Sequence, residues 1–172
     1  MLVNDIDSGW NDFFDSVDKI DKKEALVGYQ SSGDGFGVAE LAIVHEFGTK
    51  IPVTDKMRKY LATQGLFLKK STEYITIPAR PAVRTVFDNN KEEIGEQGKK
   101  LLEAYLNGKT DIELTYEIWG DFFKELFRNG IVSRSLGLQE NHPFTIERKG
   151  SDTPLSDTGR LANGMETRVE DR

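Results

Sequence analysis

The chain has 172 residues, 37% of them hydrophobic and 30% charged, a globular balance that excludes a disordered polyelectrolyte and predicts one domain over residues 1–172. No cysteine is present, which excludes a disulfide framework, a thiolate nucleophile and cysteine-ligated zinc. The net charge of −6 hides an asymmetry: residues 1–49 carry ten acids and three bases, residues 50–91 three acids and nine bases, and residues 92–172 sixteen acids and eleven bases.

The first residues, Met1 to Asp7, lack a basic segment followed by a continuous apolar run, so a classical secretion signal is not expected. Nowhere does an apolar stretch reach the roughly 18 residues that span a bilayer, so no membrane segment is expected. From residue 4 to 23, Ile6, Trp10, Phe13, Phe14, Val17 and Ile20 recur at spacings of three and four, which predicts an amphipathic helix filling the N-terminal residues 1–23. Glu24 to Gln30 reads as a short strand, and Ser31 to Gly35 as a turn. Phe36 to Phe47 mixes helix and strand signals. The reading adopted is a short helix ending at Gly48, which would serve as its left-handed cap.

Thr54 caps a predicted helix through Leu61, with Met57, Tyr60 and Leu61 on one side, and Gly65 breaks it. Leu66 to Leu68 and Tyr74 to Ile77 look like the two arms of a hairpin. Pro81 stands at the start of a long helix whose apolar residues run from Val83 to Tyr105 and stop at Gly108, with Gly95 and Gly98 marking a bend or close packing. A further helix is expected from Asp111 to Arg128, with Leu114, Ile118, Phe122, Leu126 and Phe127 on its apolar side. Its acids come first and Lys124 and Arg128 last, as suits the dipole. Pro143 to Arg148 alternates like a strand, Lys149 to Thr153 is a polar loop, Pro154 to Leu161 is a corner, and Glu166 to Glu170 is a last short strand. The predicted class is α+β, long helices packed on a small, mostly antiparallel sheet.

Catalytic constellations fail on inspection. His45-Glu46 opens like a zinc-binding H-E-x-x-H helix, but the second histidine position holds Thr49, and the other histidine, His142, is remote; no metal or cofactor is expected. Asp157-Thr158-Gly159 repeats the tripeptide of aspartic proteases, yet Ser156 and Arg160 flank it instead of apolar residues, so a turn is the better reading. Gly33 to Gly37 lacks the third glycine of a dinucleotide loop and the lysine of a phosphate loop. The basic middle, with Lys56, Arg58, Lys59, Lys69, Lys70, Arg80 and Arg84, could touch phosphate, but its aromatic interleaving is thin and the flanks are acidic. DNA contact is therefore expected to be incidental at most. The same asymmetry suits self-association, acidic flank against basic middle, although such charges also occur simply as solvated faces.

Three boxes remain: His45-Glu46-Phe47-Gly48-Thr49 running into Ile51-Pro52, then Ile77-Pro78-Ala79-Arg80-Pro81 with Arg84, then Pro154-Leu155-Ser156-Asp157-Thr158-Gly159-Arg160-Leu161. Gly48, Pro52, Pro78 and Pro81 each fix a backbone choice, so the first two boxes read as rigid corners. In order and spacing the boxes resemble the virion morphogenesis proteins of Mu-like tailed phages and prophages, a family similar to head–tail connector (neck) and tail-completion proteins. The resemblance covers residues 38 to 170. It implies a non-catalytic structural protein that joins head to tail or completes the tail, working as a ring-like homo-oligomer with phage head-neck or tail-tube proteins, in the virion after assembly in the host bacterial cytoplasm. Arg80 and Arg84 would pair with an acidic neighbour. The alternatives are a small phage-encoded hydrolase, for which His45, Glu46 and Asp157 would have to converge, and a DNA-contacting assembly protein. The chain departs from the family pattern at Ala82, where phenylalanine is usual, and after Leu161, where Asn163 to Glu166 suggests a weaker or displaced last strand.

Overall fold

A computed structural model describes residues 9–31 and 36–172. Helices dominate, and the strands form two separate two-stranded antiparallel ladders, so the class is α+β with long helices as expected. The elements run α1 (Trp10–Asp21), β1 (Lys23–Gly28), α2 (Val38–Phe47), β2 (Thr49–Pro52), α3 (Asp55–Thr63), β3 (Tyr74–Ile77), α4 (Ala82–Leu106), α5 (Ile112–Ser133), α6 (Pro143–Lys149), α7 (Arg160–Asn163) and β4 (Glu166–Asp171). The predicted turn at 31–35, apart from Ser31, and the helix start before residue 9, with Ile6, lie outside the described residues.

The chain divides into two compact units, and the long helices α4 and α5 contribute to both. The first comprises Met1–Gly28, Asn90–Glu125 and Glu166–Arg172. Here β1 pairs with β4 from Lys23↔Asp171 to Gly28↔Glu166, a full six-residue ladder and not the weakened last strand that the sequence after Leu161 suggested. Two glycines make the packing possible. A side chain at Gly98 would collide with the Trp119 ring, and one at Gly120 with Thr167 of β4. The Trp119 indole donates to the Ile94 carbonyl at 2.8 Å, and Tyr116 stacks beside it and donates to Ile20 of α1 at 2.9 Å. Lys23 closes the ladder edge with ion pairs to Asp171 (2.9 Å) and Glu113 (3.0 Å).

The second unit comprises Tyr29–Asn89 and Leu126–Met165. Its core holds Ala39, Ala82, Val86, Phe127, Ile131, Leu161 and Met165, with Tyr29 set edge-on to Phe127. Glu40 caps α2 by accepting from the Gly37 amide at 2.8 Å, and Thr54 caps α3 by accepting from Met57 at 3.2 Å. β2 pairs with β3 from Thr49↔Ile77 to Pro52↔Tyr74.

Four further sequence expectations change. Leu66–Leu68 is not a hairpin arm, because the β3 partner is β2, and the Arg58 guanidinium holds the loop through the carbonyls of Leu68, Lys69 and Thr72. Pro143–Arg148 is helix α6, not a strand: Pro143 occupies the first turn, where its missing N–H is harmless, and His142 Nδ1 accepts from the Phe144 amide. Gly48 does take a positive φ of 70°, but its ψ of 168° is extended, so it turns the chain into β2 and is not a left-handed cap. α5 runs past Arg128 to Ser133, which places Lys124 and Arg128 before its last turn, and Leu114 and Ile118 are exposed on it.

Candidate functional site

The third box lies about a hundred residues beyond the first in sequence, yet all three lie in the second unit, around α2. The first two meet along β2 and β3, where Thr49 faces Ile77 and Ile51 faces Ile75. The junction is tight at Gly48, since a Cβ there would stand 2.7 Å from the Ala79 amide nitrogen and 2.9 Å from the Ile77 carbonyl. The Arg80 amide donates to the His45 carbonyl at 2.6 Å, so Pro78, Ala79 and Pro81 are folded back against the end of α2.

Glu46 is the hinge pin of this arrangement. Its carboxylate accepts from the amides of Val83 (3.1 Å) and Arg84 (3.2 Å), filling two of the open donors at the start of α4 where negative charge is favoured. The Arg84 side chain folds over it, with Nε 3.6 Å from Oε1 and the guanidinium 5.6 Å above the Phe47 ring. The expected acidic partner of Arg84 is therefore Glu46 of the same chain. Arg80 instead binds backbone: it is only 7% exposed, and it donates to the carbonyls of Gln139 (2.7 Å) and Glu140 (2.9 Å), tying down the segment before α6. Burial lowers its guanidinium below the usual range.

His45 takes no part in the Glu46 contacts. Its Nδ1 is buried without a hydrogen-bond partner, and burial, with Arg80 and Lys149 nearby, holds the imidazole below its usual pKa so that it stays neutral. Lys149 is lowered as well, mainly by burial, against the opposing pull of Asp157 and Asp152. The third box enters here. Tyr29 donates to the Leu161 carbonyl at 2.6 Å, α7 packs on α2, and burial followed by the charge of Glu46 pushes the Tyr29 hydroxyl far above its usual range. Within the box, Leu155 takes a positive φ of 59°, and Gly159 a left-handed conformation at the start of α7, which leaves Asp157 and Thr158 exposed on a sharp turn. Pro154 lies on the rim of an open cleft of about 290 Å³ that Arg134 and Asp152 also line.

Of the residues named from sequence, His45, Glu46, Phe47, Gly48, Thr49, Ile51, Pro52, Pro78, Arg80, Pro81 and Arg84 form one joint, with Leu161 beneath it. Sequence reasoning passed over Tyr29 and read Arg58 only as a possible phosphate contact. Both act on backbone carbonyls, which leave no complementary residue type to look for. Among the described residues, no three His, Asp or Glu side chains gather as a metal site, and no helix is long and apolar enough to cross a membrane. Set against family models, curated proteins and solved structures, the chain matches none.

Proposed function

We propose that the chain is a structural virion morphogenesis protein of a Mu-like phage or prophage, joining head to tail or completing the tail as a ring-like homo-oligomer without catalysis. One observation carries the reading. The three boxes behind the resemblance converge on α2, and their polar groups act as structural clamps: Glu46 on the start of α4, Arg80 on Gln139 and Glu140, and the Leu161 carbonyl on Tyr29. A carboxylate engaged by two amides and a cation is poorly disposed to act as a general base, which weighs against the hydrolase reading of His45, Glu46 and Asp157.

Electron microscopy of particles from a strain lacking the gene tests it. Tailless heads beside free tails, or tails of irregular length, are expected, and complementation by an H45A/D157A double variant should restore normal particles. Normal particles from the deletion strain would overturn the assignment.

A further inference from the structure

The loop between α3 and β3 carries Phe67, which is 80% exposed, more than any other large apolar residue described. It is nonetheless a built loop. Arg58 Nη1 donates to the carbonyls of Leu68 (3.2 Å) and Lys69 (2.7 Å), Nη2 donates to Thr72 (2.9 Å), and the Leu66 amide donates to Leu61 (2.9 Å). A projecting aromatic on a pre-ordered loop binds without paying again for ordering. Exposed Lys56, Lys59, Lys69 and Lys70 lie on the same α3–loop segment.

A second surface has the opposite character. The helix α1 leaves Trp10 (62%), Phe13 (44%), Phe14 (61%) and Val17 (41%) exposed along one face, with the three rings in mutual contact at centroid distances of 6.0 to 6.2 Å. Asp18 and Asp21 flank this face at helical spacing, Asp18 in an ion pair with Lys22, while Asp12 and Asp15 lie further round the helix, all four exposed. Contiguous apolar patches of this kind with a polar rim mark interaction sites. The charges follow the same division: by sequence the unit holding α1 has nineteen acids and ten bases (−9), and the unit holding Phe67 ten acids and thirteen bases (+3).

We infer that Phe67 and its lysine collar on one copy of the chain dock on the aromatic, aspartate-rimmed face of α1 on another copy. This deepens the proposed function, on which it rests, by naming the self-contact of the assembly. Like charges disfavour the two symmetric pairings, lysine collar on lysine collar and aspartate rim on aspartate rim, so a head-to-tail contact is selected. Each copy then offers one of each surface, the condition for a ring or stack rather than a closed dimer.

The absence of cysteine makes the test direct. Full-length Ser71→Cys and Val17→Cys proteins, shown folded by circular dichroism, are mixed at low salt and bridged with a short bis-maleimide. The mixed dimer should exceed either self-pair about fivefold and fall about tenfold with Phe67→Ala or with Lys69→Glu/Lys70→Glu; the loss in the Lys69→Glu/Lys70→Glu protein, but not that in Phe67→Ala, should be restored when the Val17→Cys partner carries Asp18→Lys/Asp21→Lys. Oligomers that form without the mixed crosslink would overturn this contact while leaving the morphogenesis reading intact. So would a Lys69→Glu/Lys70→Glu protein that associates normally but loses binding to single- or double-stranded DNA, which would assign the surface to nucleic acid. Normal particles from the deletion strain would overturn the morphogenesis reading independently of the crosslink.

Discussion

Gly48 stands where φ is 70° and ψ 168°, a region open essentially to glycine, with backbone atoms of Ile77 and Ala79 where a side chain would go. Backbone neighbours cannot swing aside as side chains do. Gly48→Ala should therefore cost about 2–4 kcal/mol in denaturant unfolding, combining backbone strain with displacement of the β2–β3 ladder. At Glu46, replacement by alanine removes two capping bonds and the Arg84 contact, an expected loss of about 1–2 kcal/mol. Glu46→Gln, which keeps an acceptor for one amide, should fall between. Equal stability of the alanine variant and the parent would show that the cap contributes nothing. His45 adds a pH dependence. Its folded pKa lies below the ordinary 6.5, so the unfolded chain takes up the proton first as pH falls. This contribution to stability is full above about pH 6.5 and is lost progressively below it, towards the lowered folded value. Urea midpoints at pH 7 and pH 5 should thus differ more in the parent than in His45→Gln, and an identical drop in both would place the dependence elsewhere.

Elements show where sequence reasoning has purchase. α1, α3, α4 and α5 were legible because apolar residues recur at helical spacing and because Thr54, Pro81 and Asp111 signal their starts; Asp111 indeed accepts from the Leu114 amide at 2.7 Å. The short α6 was not, because seven residues give fewer than two turns of pattern and Phe144, Ile146 and Arg148 alternate as well in a strand. β2 was hidden inside the first box, since four residues ending in proline carry little strand signal, and its pairing with β3 depends on contact across the 21 residues between Pro52 and Tyr74. The candidate joint was legible as two rigid corners, but not as a cap: that Glu46 reaches α4 follows only from how α2 and β2 are folded. Of the two glycines read as a bend or close packing, Gly98 packs closely against Trp119, whereas a Cβ at Gly95 would meet nothing. Gly98→Ala would drive a methyl group into Trp119, whose indole is held at the Ile94 carbonyl, so a loss of about 1–3 kcal/mol is expected. In a Trp10→Phe background, the tryptophan emission should shift to the red as Trp119 leaves its slot, and an unchanged spectrum with unchanged stability would mean that α4 has room to move.

At the scale of the whole molecule, charge is distributed by unit and not only by sequence segment, −9 on one and +3 on the other. Charge on exposed side chains adds little to folding, about 0–1 kcal/mol per pair, so this division has its largest consequence in association. Opposite fields on two surfaces of the same chain attract copies at long range, and the attraction decays within about 8–10 Å at physiological salt. The aromatic contact between Phe67 and α1 is short-ranged and responds to salt in the opposite sense, since exclusion of sulfate strengthens apolar burial. Two regimes follow. Between about 0.05 and 0.5 M sodium chloride, sedimentation should show weaker association, mainly through slower encounter, because rim charges act on the on-rate more than on the off-rate. Sodium sulfate at comparable ionic strength should recover part of that loss, because it screens the charges equally but favours burial of Phe67. Association that falls equally in both salts would make the contact purely electrostatic, and association that ignores chloride altogether would remove charge complementarity from the mechanism.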